Sequence, residues 1–391
     1  MRCITADLIL TGDGEFTENL VICVNKKGII ASINNCKKNI SQDIEKYSGT
    51  IIPAFINVHC HLELSHLKNA IPRKLGLINF IQNVSQLRNN IIQISDMEVA
   101  EREMLDNGII AVGDISNSSL SFKLKKSKNI KYFTFVEVLG LRPENCGKQI
   151  KKGEELYNLI KFSEHKSIVP HAPYNVHPDL FLMINKSIEI NHNAVISIHN
   201  QEDINENLMF TNRSGDFVSF FKSNGISTDF IHEGYISSLD YTLENLNIDK
   251  KVNLLLVHNT YTDKNDIEKA KSSKHSIYWV LCPNSNLFIG NKLPDINLFY
   301  DENVQVAIGT DSYASNSELS ILSELKTINS YFPKIPINVL FNWATLGGAK
   351  ALNFDKEFGS IEIGKKCGLN ILKGVNFDKN CIKNASIQRL I

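Results

Sequence analysis

After Pro53 the chain alternates short apolar runs with amphipathic stretches, and this alternation constrains the fold more than any other feature. The apolar runs are Ala54–Val58, Ile109–Asp114, Tyr132–Leu139, Ser167–Pro170, Ala194–Ile198, Val252–Val257, Ser276–Leu281 and Val304–Ile308. Between them lie helix-like segments such as Met97–Asn107, Glu154–Glu164, Asp179–Asn191 and Asp263–Ser273, with Ser317–Ser330 after the last run. Apolar runs alternating with helical periods are the mark of βα units around a parallel sheet. Eight such units make an α/β chain of the (β/α)8, or TIM, barrel class. A doubly wound sheet is the other solution, but no Gly-x-Gly-x-x-Gly follows the first run.

The two ends have a different texture. Ala6–Leu10, a Gly-Asp-Gly turn at 12–14, Leu20–Val24 and Gly28–Ile33 read as short strands, as do Ser360–Ile363 and Gly368–Leu372. Residues 1–53 and 354–391 are therefore expected to join in a small β-sandwich-like subdomain flanking a barrel of residues 54–353. Lys plus Arg and Asp plus Glu both number 42, so no net field advertises a nucleic-acid or membrane partner. No run reaches the roughly 18 apolar residues of a membrane span, and the N-terminus lacks a signal-like apolar core. The cysteines, at 3, 23, 36, 60, 146, 282, 367 and 381, contain no C-x-x-C pair. That pattern suits reduced thiols in a cytoplasmic protein.

In such a barrel, chemistry sits at the C-terminal ends of the strands. The first run leads to His59-Cys60-His61, and alternation along a strand turns both imidazoles to one side. The fourth run ends in His171, the fifth in His199, the sixth in His258 and the eighth in Asp311. Imidazoles and a carboxylate on one rim suit a divalent ion, zinc first and iron or manganese as alternatives, with a position left for water. An ion there would acidify that water. Asp311 could both bind the ion and take the water's proton. Glu202 lies three residues beyond His199, close enough to shuttle a proton without serving as a ligand. Its alternative role is to start the following helix, where an acid favours the dipole.

Five stretches in order resemble the amidohydrolase superfamily in its aminohydrolase branch. They are Pro53-Ala54-Phe55-Ile56-Asn57-Val58-His59-Cys60-His61, His171-Ala172-Pro173-Tyr174, His199-Asn200-Gln201-Glu202, Cys282-Pro283-Asn284-Ser285-Asn286 and Gly309-Thr310-Asp311-Ser312. The segment Gly359–Lys366 resembles the family's return into its β subdomain. Ala54 after Pro53, where glycine is more usual, and the acid Glu63 look like aminodeoxyfutalosine deaminases. More general relatives deaminate adenosine-type compounds such as S-adenosylhomocysteine and methylthioadenosine. The resemblance implies that His59, His61, His199 and Asp311 bind the metal. It implies that Glu202 protonates the ring nitrogen beside the scissile carbon, that His258 hydrogen-bonds the attacking hydroxide, and that His171 reaches the substrate's sugar or polar tail. Two-metal members place a carboxylated lysine at the end of the fourth strand. Here Val169-Pro170-His171 has none, which implies one metal.

For the substrate, Glu63 and His66 lie just beyond the first ligand pair and are candidates for a substrate hydroxyl; Glu63 could equally orient a ligand imidazole. Arg142, after the third run, could take a carboxylate tail or form a surface ion pair. Residues 203 to about 235 read as a long loop at the rim, where lids are found. Ser285-Asn286 is expected to fix the loop after the seventh strand. The expected partner is a small molecule, and such barrels are often homodimers. The same machinery could instead hydrolyse another cyclic amidine, a halogenated heterocycle or an imidazolone. A non-catalytic scaffold would be expected to lack some of these residues, and all are present.

Overall fold

The computed structural model describes residues 1–12, 14–35, 43–88 and 93–391; Asp13 of the Gly-Asp-Gly turn and Cys36 lie outside them. The eight barrel strands are Phe55–Cys60, Ile109–Ser116, Lys131–Val138, Lys166–Pro170, Val195–Asn200, Asn253–His258, Ser276–Leu281 and Val306–Ile308. The first, second, fifth and sixth are buried at every position. Strands covered on both faces cannot show polar alternation, which is why they read as continuous apolar runs. Strands one to four pair in parallel, as do strands five to eight.

The two half-barrels join at their C-terminal ends. The His199 N–H donates to the His171 carbonyl (2.9 Å), and the Thr310 and Asp311 N–H groups both donate to the His59 carbonyl (3.1 and 3.0 Å). Barrel closure thus runs through the backbone of the residues that the sequence marks for chemistry.

Around the strands lie helices Ile94–Asp106, Pro143–Leu159, Pro178–Asn191, Lys264–Ser272 and Ile321–Tyr331. The second of these corrects the expected Glu154–Glu164. It starts at Pro143, whose fixed φ and missing N–H suit a first turn. The first part of the expected 203–235 loop is instead two helices, Ile204–Asn212 and Asp216–Ser223, and 224–237 is irregular. Asp203 caps the first by accepting from Asn205 N–H (2.8 Å). Phe217 of the second is buried and stacks on Tyr174, ring centroids 4.3 Å apart.

Both chain ends build one seven-stranded sheet. Ile44–Pro53 pairs in parallel with Arg2–Leu10 and antiparallel with Leu369–Lys373. It then runs past Ala54 straight into the first barrel strand. Ile4, Ile9, Ile22, Ile51, Leu369 and Ile371 form the core of this β subdomain. Ser360–Ile363, expected as a strand, is a turn: Lys365 Nζ donates to Ser360 Oγ (2.6 Å) and its N–H to the Glu362 carbonyl (3.1 Å). One expectation about cysteine is also corrected. Cys3 and Cys23 face each other across antiparallel strands and form a disulfide; Cys60, Cys146, Cys282 and Cys367 are free and buried. Among the described residues no helix is long and apolar enough to cross a membrane.

Candidate active site

The strand ends bring His59, His61 and Asp311 together. His61 Nε2 lies 3.1 Å from His59 Nε2, and Asp311 Oδ1 lies 3.5 Å from His61 Nε2 and 3.7 Å from His59 Nε2. His199 and His258 close the cluster, their ring centroids 4.9 and 5.8 Å from that of His59. Tetrahedral ligands at a zinc–nitrogen distance of about 2.0–2.1 Å are about 3.3 Å apart. The observed spacings match such a ligand shell.

The protonation of the cluster suits it as well. Burial, aided by the neighbouring imidazoles, holds His59, His61 and His199 below the usual imidazole value against the opposing pull of Asp311 and Glu137 on the latter two, so their lone pairs are free at neutral pH. His199 Nδ1 is 2.7 Å from the His171 carbonyl, which can only accept. The ring proton is therefore on Nδ1, and Nε2 is left to ligate. Asp311 Oδ2 accepts from Ser285 Oγ (2.7 Å) and from Ser315 Oγ, leaving Oδ1 for the imidazoles. Burial opposes its charge, but His61, His258 and these hydroxyls prevail and keep the carboxyl below its usual value.

Backbone strain marks the same rim. His258 has φ 78° and Asp311 φ 57°, a region that non-glycine residues avoid. Strained strand ends carrying these side chains are where function is to be sought. At Gly309 any Cβ would stand 2.8 Å from the Cβ of His59, so only glycine lets the chain after the eighth strand pass His59.

Glu202 lines the same cavity, its Oε1 3.6 Å from His258 Nε2. Burial, then Asp311 and Glu206, push its carboxyl well above the usual value, which favours the proton-bearing form a donor needs. The turn that carries it is anchored by Glu206, which accepts from the Gln201 and Glu202 N–H groups (2.7 and 3.2 Å). Asn286 Nδ2 approaches His258 Nδ1 (3.3 Å) and Thr260 Oγ1 (2.9 Å). The amide donates to Nδ1, so the neutral His258 carries its proton on Nε2, facing the cavity. Ser285 and Asn286, expected only to fix a loop, thus orient Asp311 and His258. The cavity measures about 210 Å3 and has an apolar wall of Leu77, Phe80, Ile81 and Val84 from helix Leu77–Leu87.

The substrate candidates separate. His171 lines the cavity; its Nδ1 accepts from Asn175 Nδ2 (2.7 Å), which leaves Nε2–H as a donor. Glu63 is buried one chamber away, accepting from Asn117 N–H (3.1 Å), and burial pushes its carboxyl up to about 7. His66 does not line either space: the short helix Leu62–Leu67 carries it elsewhere, and neither ring nitrogen has a hydrogen-bond partner. Arg142 is exposed in a separate groove, where it donates to the Asn224 carbonyl (3.0 Å) and forms no ion pair among the described residues. Sequence reading missed Glu137, a buried acid on the wall shared by both chambers. Its signal was visible: a lone carboxylate in the apolar third run.

A parallel barrel that gathers imidazoles and carboxylates at one rim, spaced for a divalent ion, defines a metal-dependent hydrolase. The chain belongs to the amidohydrolase family, whose model matches residues 50–389. It is 26% identical over 355 residues to an adenosine deaminase of Helicobacter pylori, covering 88% of this chain and 83% of that one. The structure of Helicobacter pylori aminofutalosine deaminase with methylthio-coformycin is similar at a TM-score of 0.84 and 23% identity, over 100% of both chains. An adenosine deaminase from Xanthomonas campestris with bound zinc gives a TM-score of 0.75 at 19% identity, over 95% of this chain and 84% of that one.

Proposed function

We propose that this enzyme deaminates an aminopurine nucleoside, of the adenosine, methylthioadenosine, S-adenosylhomocysteine or aminodeoxyfutalosine type. The observation that carries the reading is Glu202: a buried carboxyl in the cavity, its affinity for a proton raised by burial, beside His258 and the convergent set His59, His61, His199 and Asp311. We read those four as ligands of one divalent ion, zinc by preference, within a catalytic unit of residues 54–353. An ion so held would acidify a water and supply the nucleophile.

The protein's own groups account for the rest. Glu202 gives its proton to the ring nitrogen beside the amino-bearing carbon, so that addition of the water oxygen there builds no charge on the ring. His258 donates from Nε2 to the incoming oxygen, and His171 from Nε2 to a substrate acceptor. Asp311 takes the proton lost by the water and passes it to the departing amine. Water is consumed, ammonia leaves, and the proton remaining on the added oxygen returns to Glu202 as that oxygen becomes the ring carbonyl.

Ammonia release from metal-loaded protein tests this with adenosine, 5′-deoxyadenosine, methylthioadenosine, S-adenosylhomocysteine, aminodeoxyfutalosine and guanine. Turnover of an adenosine-type compound is expected. Silence across the panel, with hydrolysis of an imidazolone or halogenated heterocycle instead, would overturn it.

A further inference from the structure

His199 and Glu202 line one cavity although they stand three positions apart in the chain. On a continuing strand, residues an odd number apart point to opposite sides. Gln201 would share the side of His199 in that pattern, yet it is fully buried and lines none of the cavity. The reversal falls at Gln201 itself, whose φ of 48° is left-handed. Residues other than glycine avoid that region and persist there only where their surroundings over-determine them.

The surroundings of Gln201 do so. A glutamine side chain offers two amide hydrogens and two carbonyl lone pairs. Here Nε2 donates to Asp266 Oδ2 (2.8 Å) and Asn207 Oδ1 (3.3 Å). Oε1 accepts from Thr262 Oγ1 (2.6 Å) and Asn200 Nδ2 (3.2 Å). The backbone N–H donates to Glu206 Oε1 (2.7 Å), and the carbonyl accepts from Tyr261 N–H (3.0 Å). No hydrogen-bonding group of this residue is left over. Asp266 is fixed in turn. It lies on helix Lys264–Ser272, and its carboxylate also accepts from Asp263 N–H (3.0 Å) and from Ser237 Oγ. The turn is thus gripped by helix Ile204–Asn212 on one side and by the chain after the sixth strand on the other.

We propose that Gln201 is the positioning residue for Glu202: its hydrogen bonds hold the left-handed turn that brings the acid to the side of the strand where His199 stands. The proposal rests on the reading of Glu202 as the proton donor of a deaminase. A proton donor must lie within hydrogen-bond reach of the atom it serves. Misplacement by about 1 Å can cost about 100-fold in rate. Gln201 itself meets neither the ion nor the ring. Loosening it should therefore slow the chemical step and spare the binding of both.

The test measures kcat, KM and bound metal with whichever adenosine-type compound the wild type turns over fastest. Gln201→Met keeps the length of the side chain and removes its four side-chain hydrogen bonds. Its kcat is expected to fall about 10- to 100-fold, with KM and metal content within about twofold of wild type. The second measurement combines it with Glu202→Gln. If Gln201 works through Glu202 the two losses do not multiply, and Q201M/E202Q is expected within about threefold of Glu202→Gln alone. Losses that multiply in full overturn the proposal. So does an unchanged kcat in Gln201→Met, or a raised KM or lost metal at unchanged kcat. Thr262→Val removes only the hydroxyl that faces Oε1 and is expected to lower kcat by about threefold or more. It carries the same two comparisons should Gln201→Met not fold. Silence of the wild type toward every nucleoside defeats the deaminase reading and this proposal together, whereas turnover with multiplying losses defeats the proposal alone.

Discussion

Glu202 and Asp311 are both buried carboxyls at the rim, yet their surroundings drive them to opposite states. Asp311 has hydroxyl donors and imidazoles around it and stays ionised. Glu202 has burial and neighbouring acids, which push its carboxyl well above the usual value. Such divergence is how one site runs acid and base steps together. Glu202→Gln is expected to cut kcat by about 100- to 10,000-fold while metal analysis of the purified protein stays unchanged. Loss of metal in that variant would contradict a proton-donor role. Asp311→Asn is expected to lose both turnover and metal. Because Glu202 acts in its protonated form and burial raises its value, kcat/KM should fall as pH rises through that raised value, at a pH above the ordinary carboxylate range. A fall already within the ordinary carboxylate range, about pH 4 to 5, would count against this. At this scale the sequence was informative wherever a side chain stood at a strand end. It did not show that Ser285 and Ser315 hold Asp311: Ser285 reaches it from the segment after the seventh strand, and Ser315, four residues on, meets it only because the chain turns back there.

At the scale of elements, the rim is fastened by buried charges. Lys125, on the short helix Phe122–Lys126, is fully buried and lies 2.6 Å from Asp114 Oδ2 at the end of the second barrel strand. Asp114 Oδ1 in turn accepts from Leu62 N–H (2.8 Å), directly after His61. Removing the lysine leaves a buried carboxylate without its partner, so Lys125→Met is expected to destabilise the fold by about 3–5 kcal/mol in chemical denaturation; a change below about 1 kcal/mol would contradict the account. Glu324, on helix Ile321–Tyr331, accepts from Asn284 N–H and Asn316 Nδ2 (both 2.8 Å), clamping the segments after strands seven and eight. Burial pushes it up to about 8. A raised folded value favours the protonated form, so its contribution to stability is complete in acid and is lost as pH rises through about 8. Tm is expected to fall from the ordinary carboxylate range up to about pH 8 and to level off above it, and Glu324→Gln to flatten that slope.

Across the whole molecule, four ligands from three strand ends would be crosslinked by one ion bound to the native state alone. Chelation is therefore expected to lower Tm, and zinc to restore it, by the mass-action term for a ligand bound only when folded. An unaltered Tm on complete metal removal would contradict the ligand set. The eight runs, their parallel order and the His59, His61, His199 and Asp311 rim were legible in the sequence. Burial on both faces and polar residues at strand ends leave a local imprint that needs no knowledge of distant contacts. The helix start at Pro143, the two helices after Asp203 and the strand at Ile44–Pro53 were misjudged or passed over, for their patterns depend on what packs against them. The Cys3–Cys23 pairing, the exclusion of His66 from the cavity and the chamber around Glu137 belong to the tertiary structure alone. Each is set by which surfaces meet when the barrel closes. Local periodicity specifies which side of a strand a residue occupies, but only packing decides what stands opposite it.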